Sequence, residues 1–189
     1  EEIGTLPKDR KEGSTLSEEI YEMIENGCTP YEIIKEHPST YTQIPNIERA
    51  IALYNAEKVK NIFRKLEVVY IWGQTGVGKT RYVLEKYGYT NVYRVTNYQN
   101  PFDGYKNEDV ILFDEFRSNL RIDDMLKYLD GYPVNLPSRY TDKPAAFTKV
   151  YIISNIPIEK QYVEVQKYEP ATYKAFIRRF TQEPIELIG

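Results

Sequence analysis

The sequence has only one cysteine, one histidine and one tryptophan among its 189 residues, and this scarcity excludes several kinds of site. A lone Cys28 cannot form an internal disulfide bond, and no cysteine or histidine recurs at the spacing of a zinc site. No apolar run approaches the roughly 20 residues that a membrane-spanning helix needs. We therefore expect a protein of a reducing compartment, with no membrane partner.

The chain also lacks the excess of basic residues that is typical of proteins that coat nucleic acid. Lysine and arginine number 25, aspartate and glutamate number 28, and the formal net charge is −3. Any nucleic-acid site must therefore be a local patch, or a patch assembled from several copies of the chain. Hydrophobic residues make up 41% of the sequence and charged residues 28%, which is the balance of a globular protein with an apolar core.

The first two zones of the chain differ in composition. Residues 1–13 are polar and predict a linker, and their acidic start favours a chain taken from a longer protein. Residues 14–66 predict three short amphipathic helices, of which two begin at capping boxes, Thr15–Glu18 and Thr29–Glu32, and the third at about Asn46. Because such short helices bury little apolar surface alone, we expect this zone to be a small oligomerisation domain.

The third zone, residues 67–189, alternates continuous apolar runs with helical periodicity. Such runs are typical of strands that are buried on both faces of a parallel sheet. The zone therefore predicts an α/β P-loop fold, in which helices flank a central parallel sheet. The predicted strands are Val68–Trp72, Val110–Phe113 and Val150–Ile153, and the predicted helices are Lys79–Tyr87, Ile122–Leu129 and Tyr173–Phe180.

A phosphate-binding motif follows the first predicted strand. The sequence GQTGVGKT matches G-x-x-x-x-G-K-[ST] between a strand and a helix, where glycines let backbone N–H groups surround phosphate oxygens. Lys79 is expected to reach the β- and γ-phosphates, and the Thr80 hydroxyl to bind Mg²⁺. The cofactors predicted are ATP and Mg²⁺, and the nucleotide-binding residues are Gly73, Gln74, Thr75, Gly76, Val77, Gly78, Lys79 and Thr80.

Polar residues end the other two predicted strands. Asp114 and Glu115 follow the second strand, where open α/β sheets bind ligands. We expect Asp114 to hold hydrated Mg²⁺ and Glu115 to orient and deprotonate the attacking water. Asn155 ends the third strand, and two interpretations stay open from the residue type: contact with the water or the γ-phosphate, or closure of a turn before Pro157.

Together these motifs resemble the superfamily 3 helicase region of replication initiator (Rep) proteins from circovirus-like single-stranded DNA viruses and related plasmids. The resemblance covers nearly the whole chain. It includes Phe102–Tyr105, Ile122–Leu126 with Tyr132-Pro133, and Ile152–Asn155. It implies an AAA+-like ATP hydrolase that assembles as a ring hexamer on single-stranded DNA and unwinds DNA 3′ to 5′ during rolling-circle replication.

The resemblance also implies roles for particular residues. Asn155 becomes the polar sensor, and Arg178 or Arg179, with Arg179 preferred, becomes an arginine finger that acts on a neighbouring subunit. The alternative for the arginine pair is a helix C-terminus that collects cations. A hairpin between Pro137 and Lys149 is expected to contact DNA, because its cations suit phosphates and its tyrosine suits bases. The candidate DNA-binding residues are Arg139, Tyr140, Lys143 and Lys149.

Other features limit this interpretation. The nuclease of whole Rep proteins needs a histidine pair, whereas this chain has only His37, so we expect the nuclease to be absent here. A nucleotide-gated assembly or DNA-loading ATPase shares every motif and stays an alternative, and a P-loop small-molecule kinase is a further one. The expected location is the host nucleus for a viral protein, or bacterial cytoplasm for a plasmid protein.

Overall fold

The computed structural model describes residues 15–139 and 142–188 of the chain. The chain divides into two compact units between Tyr54 and Asn55. The predicted linker, residues 1–13, lies outside the described residues. Within the described ranges, no helix combines the length and the apolar character that crossing a membrane requires.

The first unit is helical, as its amphipathic pattern predicts. Its elements are α1 (Leu16–Glu25), α2 (Pro30–Glu36), a 3₁₀ turn (Pro38–Gln43) and α3 (Ile44–Val59), which continues past the division. Both predicted capping boxes are confirmed. The Glu18 side chain accepts the backbone N–H of Thr15 at 2.6 Å, and that of Glu32 accepts the N–H of Thr29 at 2.7 Å.

A small apolar core holds these helices together. Ile24, Ile33 and Ile47 come from α1, α2 and α3 in turn, and all three are buried. The aromatic rings of Tyr21 and Tyr54 also meet edge to face, with centroids 6.3 Å apart. The core is small because each helix contributes only one fully buried side chain, whereas Tyr31 and Tyr41 remain largely exposed.

The second unit has the predicted α/β fold, with a five-stranded parallel sheet between helices. Its strands are β1 (Glu67–Trp72), β2 (Val92–Val95), β3 (Val110–Phe113), β4 (Asn135–Leu136), β5 (Lys143–Pro144), β6 (Lys149–Ser154) and β7 (Ile185–Glu186). Its helices are α4 (Lys79–Tyr87), α5 (Ile122–Tyr128), α6 (Val163–Tyr168) and α7 (Pro170–Ile177). The parallel sheet has the order β2-β3-β6-β1-β7, whereas β4 and β5 form a separate antiparallel pair.

Apolar residues cover the sheet on both faces, which explains why its strands are continuous apolar runs. On one face Val69, Ile71 and Leu112 pack against α4 through Val83. On the other face the larger cluster of buried aromatic and aliphatic side chains includes Phe176 of α7. Alternate residues of each strand point to opposite faces, so neither face is left for solvent.

The strand register brings the chemical motifs to one edge of the sheet. Trp72 at the end of β1 pairs with Ser154 at the end of β6, and Phe113 at the end of β3 pairs with Ile152. Because β1, β3 and β6 are parallel, the segments that follow them leave the sheet at the same edge. This is the edge at which open α/β sheets bind ligands.

The second unit begins earlier than the predicted boundary after residue 66. Arg64 accounts for part of the difference, because its backbone N–H donates to the Gly131 oxygen at 2.7 Å and its guanidinium donates to the Phe147 oxygen at 3.0 Å. The same guanidinium lies 4.7 Å from the centre of the Phe147 ring. These contacts hold the segment before β1 on the α/β unit.

The remaining differences concern short or shifted elements. The sequence did not predict β2 or β7, which contain only four and two residues. Helix α7 begins at Pro170 and ends at Ile177, whereas helical periodicity predicted Tyr173–Phe180. The shift has a local cause, because proline is favoured at the first position of a helix.

Candidate nucleotide and magnesium site

The GQTGVGKT loop joins β1 to α4, which confirms its predicted strand-to-helix context. Position 73 has no room for a side chain, because a Cβ on Gly73 would lie 2.2 Å from the backbone oxygen of Leu187. Gly78 has φ +90° directly before α4, a conformation that residues with a Cβ rarely adopt. The glycines therefore allow the tight turn that a phosphate-binding loop requires.

Lys79 extends from the first turn of α4 into this loop, and only 6% of the residue is exposed. Its ammonium donates to the backbone oxygens of Gly73 at 2.8 Å and Gln74 at 2.7 Å, and to Oδ1 of Asn155 at 3.0 Å. Burial lowers the pKa of Lys79, against the opposing effects of the Asp114 and Glu115 carboxylates. The ammonium therefore has a partner for each of its three hydrogens.

Thr80 and Asp114 meet beside the lysine. The Thr80 hydroxyl lies 3.1 Å and 3.2 Å from the two carboxylate oxygens of Asp114, which is buried. Two further groups donate to this carboxylate: Nε of Arg94 at 2.6 Å and the backbone N–H of Glu115 at 3.0 Å. The negative charge of Asp114 is thus compensated by a cation and fixed in direction by hydrogen bonds.

Glu115 is exposed and has φ +51°, a left-handed conformation that is unusual for a residue with a side chain. It lines an open cleft of about 310 Å³. This cleft is bordered by Thr75, Gly76, Gly78, Lys79, Thr80, Arg81, Asp114, Glu115, Ile153 and Asn155. Glu115 therefore lines the same cleft as the loop, the lysine and the threonine–aspartate pair.

Asn155 follows β6 and faces Lys79 across the cleft. Its side-chain oxygen accepts from the ammonium, so the carboxamide contacts the phosphate-binding lysine. The residue lies before Ile156-Pro157, where the alternative was a turn-closing asparagine. The contact with Lys79 supports the sensor interpretation, because a water or phosphate group bound by the lysine would lie within reach of the carboxamide.

The paired oxygens of Thr80 and Asp114 fit a magnesium ion that arrives with a nucleotide. Mg²⁺ in nucleotide sites is bound by one or two protein oxygens, by phosphate oxygens and by water. A buried carboxylate beside a hydroxyl supplies such protein oxygens, and both line the cleft. Gln74 and Val77, which were also predicted to bind nucleotide, lie in the loop itself, where Gln74 already contributes its backbone oxygen to Lys79.

The two candidate finger arginines have different surroundings. The guanidinium of Arg179 donates to Oδ2 of Asp130 at 2.7 Å and is about a quarter exposed. Arg178 directly follows α7 and is exposed. Within residues 15–139 and 142–188, the side chain of Arg178 forms no ion pair or hydrogen bond. Neither arginine lines the cleft of its own chain.

The candidate DNA-binding residues are spread over two places. β4 and β5 pair in antiparallel register, Leu136 opposite Lys143, and Arg139 lies in the loop between them. Arg139 donates through Nε to the Asp103 carboxylate at 2.5 Å while its side chain stays largely exposed. Tyr140 lies outside the described residues.

Lys143 and Lys149 are held by neighbouring groups of the fold. The Lys143 ammonium donates to the backbone oxygens of Asp103 at 2.6 Å and Tyr105 at 2.9 Å, and burial lowers its pKa. Lys149 is the first residue of β6, outside the β4–β5 hairpin, and pairs with Asp109 at 2.5 Å. These two lysines therefore stabilise the Phe102–Tyr105 segment and the start of β6.

Two polar residues, one in contact with this site and one behind it, were missed by sequence reasoning. Arg94 is the third residue of the short strand β2, and an isolated arginine between apolar residues carried no recognisable signal. Gln161 is fully buried behind the ends of β3 and β6 and bonds to Phe116 and Ser154. It follows Glu159-Lys160 and belongs to no motif, so only the three-dimensional arrangement reveals it.

The part of the chain that carries these motifs is similar to known proteins. The RNA helicase family matches residues 69–155, a range that contains the loop, Asp114-Glu115 and Asn155. The replication-associated protein of canary circovirus is 30% identical over 151 residues, which are 80% of this chain and 50% of the relative. That of beak and feather disease virus is 28% identical over 180 residues, 95% of this chain and 59% of the relative.

A third relative has a similar extent of match. The replication-associated protein of human associated cyclovirus 1 is 29% identical over 153 residues, which cover 78% of this chain and 52% of that protein. The chain thus spans about half the length of the curated relatives that it matches.

Proposed function

Since this chain is related to the replication-associated proteins of circoviruses, as the resemblance in its sequence predicted, we propose that it is the ATP-driven DNA helicase region of a rolling-circle replication initiator. The helicase family match covers every motif of the candidate site. The relatives are viral proteins, and this favours the host nucleus over bacterial cytoplasm as the place of action.

One observation carries the proposal: the Lys79 ammonium joins the phosphate-binding loop to Asn155, beside the Thr80–Asp114 pair. In this proposal ATP phosphates replace the carbonyl partners of the ammonium, and Asn155 then bonds to the γ-phosphate or to the attacking water. Groups that are already oriented toward the developing charge lower the barrier without further rearrangement.

Glu115 supplies the general base. The residue lines the cleft, and its backbone N–H donates to the Asp114 carboxylate. Bound Mg²⁺ would neutralise phosphate charge and polarise the γ-phosphoryl group. Thr80 and Asp114 would supply the protein oxygens that hold this ion. Glu115 takes the proton of the attacking water.

We further propose that the active form is a ring of six subunits, in which Arg178 contacts ATP bound by a neighbour. The sequence favoured Arg179, but its ion pair with Asp130 supports a structural role for that residue. Arg178 is exposed and has no described side-chain partner, so it is available to another subunit without loss of an internal bond. In a head-to-tail ring, every site would receive one such arginine.

For DNA, we propose that the loop between β4 and β5 makes the contact through Arg139 and Tyr140. Arg139 is largely exposed and its partner Asp103 can be replaced by a phosphate. The engagement of Lys143 and Lys149 within the fold supports a lesser role for both in DNA binding. Six loops that face one channel would together supply the positive charge that a single acidic subunit lacks.

Strand displacement by the purified chain tests helicase activity against the loading alternative. Duplexes with a 3′ tail or a 5′ tail are mixed with protein, ATP and Mg²⁺, and a Lys79→Ala preparation serves as control. We expect ATP-dependent displacement from the 3′-tailed duplex only, and weaker activity on an RNA strand. ATP hydrolysis that depends on DNA but displaces neither strand would instead identify a loading ATPase.

A further inference from the structure

Gln161 is a buried polar residue with no surface role. It follows the 3₁₀ turn Ile158–Lys160 and none of its surface is exposed. A carboxamide in such a place is unfavourable unless its hydrogen-bonding groups are satisfied. Here they are, because both ends of the side chain have partners from other segments of the α/β unit.

The partners of Gln161 come from three different parts of the sheet. Its Nε2 lies 2.8 Å from the Tyr70 hydroxyl of β1, 3.1 Å from the Ser154 hydroxyl of β6 and 3.0 Å from the backbone oxygen of Phe116 after β3. Its Oε1 accepts from the Ser118 hydroxyl at 2.8 Å. One side chain thus links β1, β6 and the segment after β3.

The directions of the neighbouring hydrogen bonds require a donor at the Nε2 position. Tyr70 donates its own hydroxyl hydrogen to the Ile156 backbone oxygen at 2.8 Å, and Ser154 donates to the Phe116 oxygen at 2.7 Å. The oxygens of Tyr70, Ser154 and Phe116 can therefore only accept from Gln161. A carboxylate of the same size has no hydrogen to give them, so glutamate does not replace glutamine here.

These hydrogen bonds lie next to Asn155 and Glu115, the two residues on which ATP hydrolysis depends in the proposed function. Ser154 and Ile156 flank Asn155, and the backbone N–H of Ile156 also donates to the Ser154 hydroxyl at 3.2 Å. Phe116 directly follows Glu115, whose left-handed backbone needs support from its surroundings. Gln161 therefore bonds to the backbone next to the glutamate, and it is linked to the residues on both sides of the asparagine through the hydroxyls of Ser154 and Tyr70.

We propose that Gln161 is a positioning residue that sets the spacing between Glu115 and Asn155 across the cleft. The proposal rests on the proposed ATP hydrolysis. In it, a residue outside the cleft aligns the general base, Glu115, with the sensor, Asn155. Small displacements of catalytic groups lower turnover far more than they lower ligand affinity. Loss of the Gln161 bonds should therefore reduce kcat and leave nucleotide binding nearly intact.

Gln161→Met tests this, because methionine keeps the length and removes every polar contact. Steady-state ATP hydrolysis is measured at a temperature well below unfolding, and affinity is measured with a fluorescent ATP analogue. We expect kcat to fall about tenfold while the affinity changes by less than about twofold. Ser118→Ala, which removes the bond to Oε1 and the bond from the Tyr162 backbone N–H but keeps the three contacts of Nε2, serves as a second variant if Gln161→Met does not fold.

Two controls separate positioning from loss of stability. Tyr105→Phe removes a buried hydroxyl that donates to the Glu108 oxygen and accepts from the Ala146 N–H, and none of these three residues lines the cleft. We expect Tyr105→Phe to keep the wild-type kcat even if its melting temperature falls as much as that of Gln161→Met. In an Asn155→Ala background, Gln161→Met should lower kcat by less than about twofold, because the spacing to the sensor no longer matters.

The possible outcomes are distinct. Wild-type kcat in Gln161→Met, or an undiminished effect of the change in the Asn155→Ala background, overturns the positioning role while leaving ATP hydrolysis in place. A wild-type chain that does not hydrolyse ATP overturns the proposed function, and the role of Gln161 with it. A fall in kcat that disappears in the Asn155→Ala background supports both.

Discussion

The ammonium of Lys79 and the side-chain oxygen of Asn155 lie 3.0 Å apart, although 76 positions separate them in the chain. Lys79 comes from the helix after β1, and Asn155 from the end of β6, and the parallel pairing of these strands brings them together. This contact connects the phosphate-binding loop with the residue that follows the central strand of the sheet. The Lys79 ammonium thus bonds both to the backbone oxygens of the loop and to the Asn155 carboxamide.

The contact predicts different results for two substitutions of Asn155. Asn155→Ala removes one oriented group and should lower kcat about 10²-fold with little change in ATP affinity. Asn155→Asp should bind ATP more weakly than Asn155→Ala, because a carboxylate beside Lys79 competes with the γ-phosphate for the ammonium. Steady-state kinetics and equilibrium binding of both variants check this. Equal ATP affinity in the two variants would show that Lys79 does not exchange partners.

Glu115→Gln should separate nucleotide binding from hydrolysis. The substitution keeps the size of the side chain and leaves Lys79, Thr80 and Asp114 unchanged, but it removes the base. We expect ATP affinity within about twofold of wild type and a kcat at least about 10²-fold lower. Glu183→Gln, an exposed glutamate outside the cleft, is the matched control. Turnover in Glu115→Gln like that of the control would assign the base to another group.

The two arginines after α7 should respond differently to alanine. Arg179→Ala breaks the ion pair with Asp130 and should lower the free energy of unfolding by roughly 1 kcal/mol. Arg178→Ala should leave the melting temperature unchanged and still bind ATP, yet hydrolyse it poorly. Calorimetry and hydrolysis assays of both variants distinguish the roles. Full activity of Arg178→Ala would return the finger assignment to Arg179 or remove it from this segment.

Mixing variants tests whether the arginine acts between subunits. Arg178→Ala subunits have an intact phosphate-binding loop, and Lys79→Ala subunits have an intact arginine. A mixed ring contains sites that combine both intact parts, so the mixture should regain part of the lost hydrolysis. A mixture as inactive as each variant alone would contradict a shared site.

Removal of the Asp103 charge should increase the affinity of the chain for DNA. Its carboxylate accepts both the backbone N–H at 3.0 Å and the side chain of Arg139, so it competes with phosphates for that cation. Asp103→Asn should tighten binding of a fluorescent oligothymidylate several-fold, and Arg139→Gln should weaken it and flatten its salt dependence between about 50 and 200 mM. Lys149→Gln, which removes a cation that is already paired with Asp109 at the opposite end of β6 from Asn155, is the control. Unchanged affinity in Asp103→Asn would place the DNA site elsewhere.

Sequence reasoning identified the parts of the site that carry a motif. The loop from Gly73 to Thr80, the Asp114-Glu115 pair and Asn155 all follow buried strands, and parallel strands bring such residues together at one edge. The capping boxes at Thr15 and Thr29 were equally clear, because a local pattern fixes a local structure.

The remaining features depend on contacts between distant positions. Arg94 and Gln161 carry no motif, and their partners Asp114, directly after β3, and Ser154, at the end of β6, belong to other segments of the chain. The pairing of Arg179 with Asp130 could not be derived from either segment alone. The engagement of Lys143 by the oxygens of Asp103 and Tyr105 depends likewise on the fold, since composition shows a cation but not its partner.

In the proposed function, the cleft around Lys79 hydrolyses ATP in response to single-stranded DNA. Steady-state phosphate release by the purified wild-type chain, with and without a single-stranded oligonucleotide, measures this directly, and Lys79→Ala purified in parallel defines the background. We predict Mg²⁺-dependent hydrolysis that DNA stimulates several-fold and that Lys79→Ala lowers by at least about 10²-fold. Hydrolysis by the wild type at the level of the Lys79→Ala preparation, or hydrolysis that DNA does not change, would contradict the account.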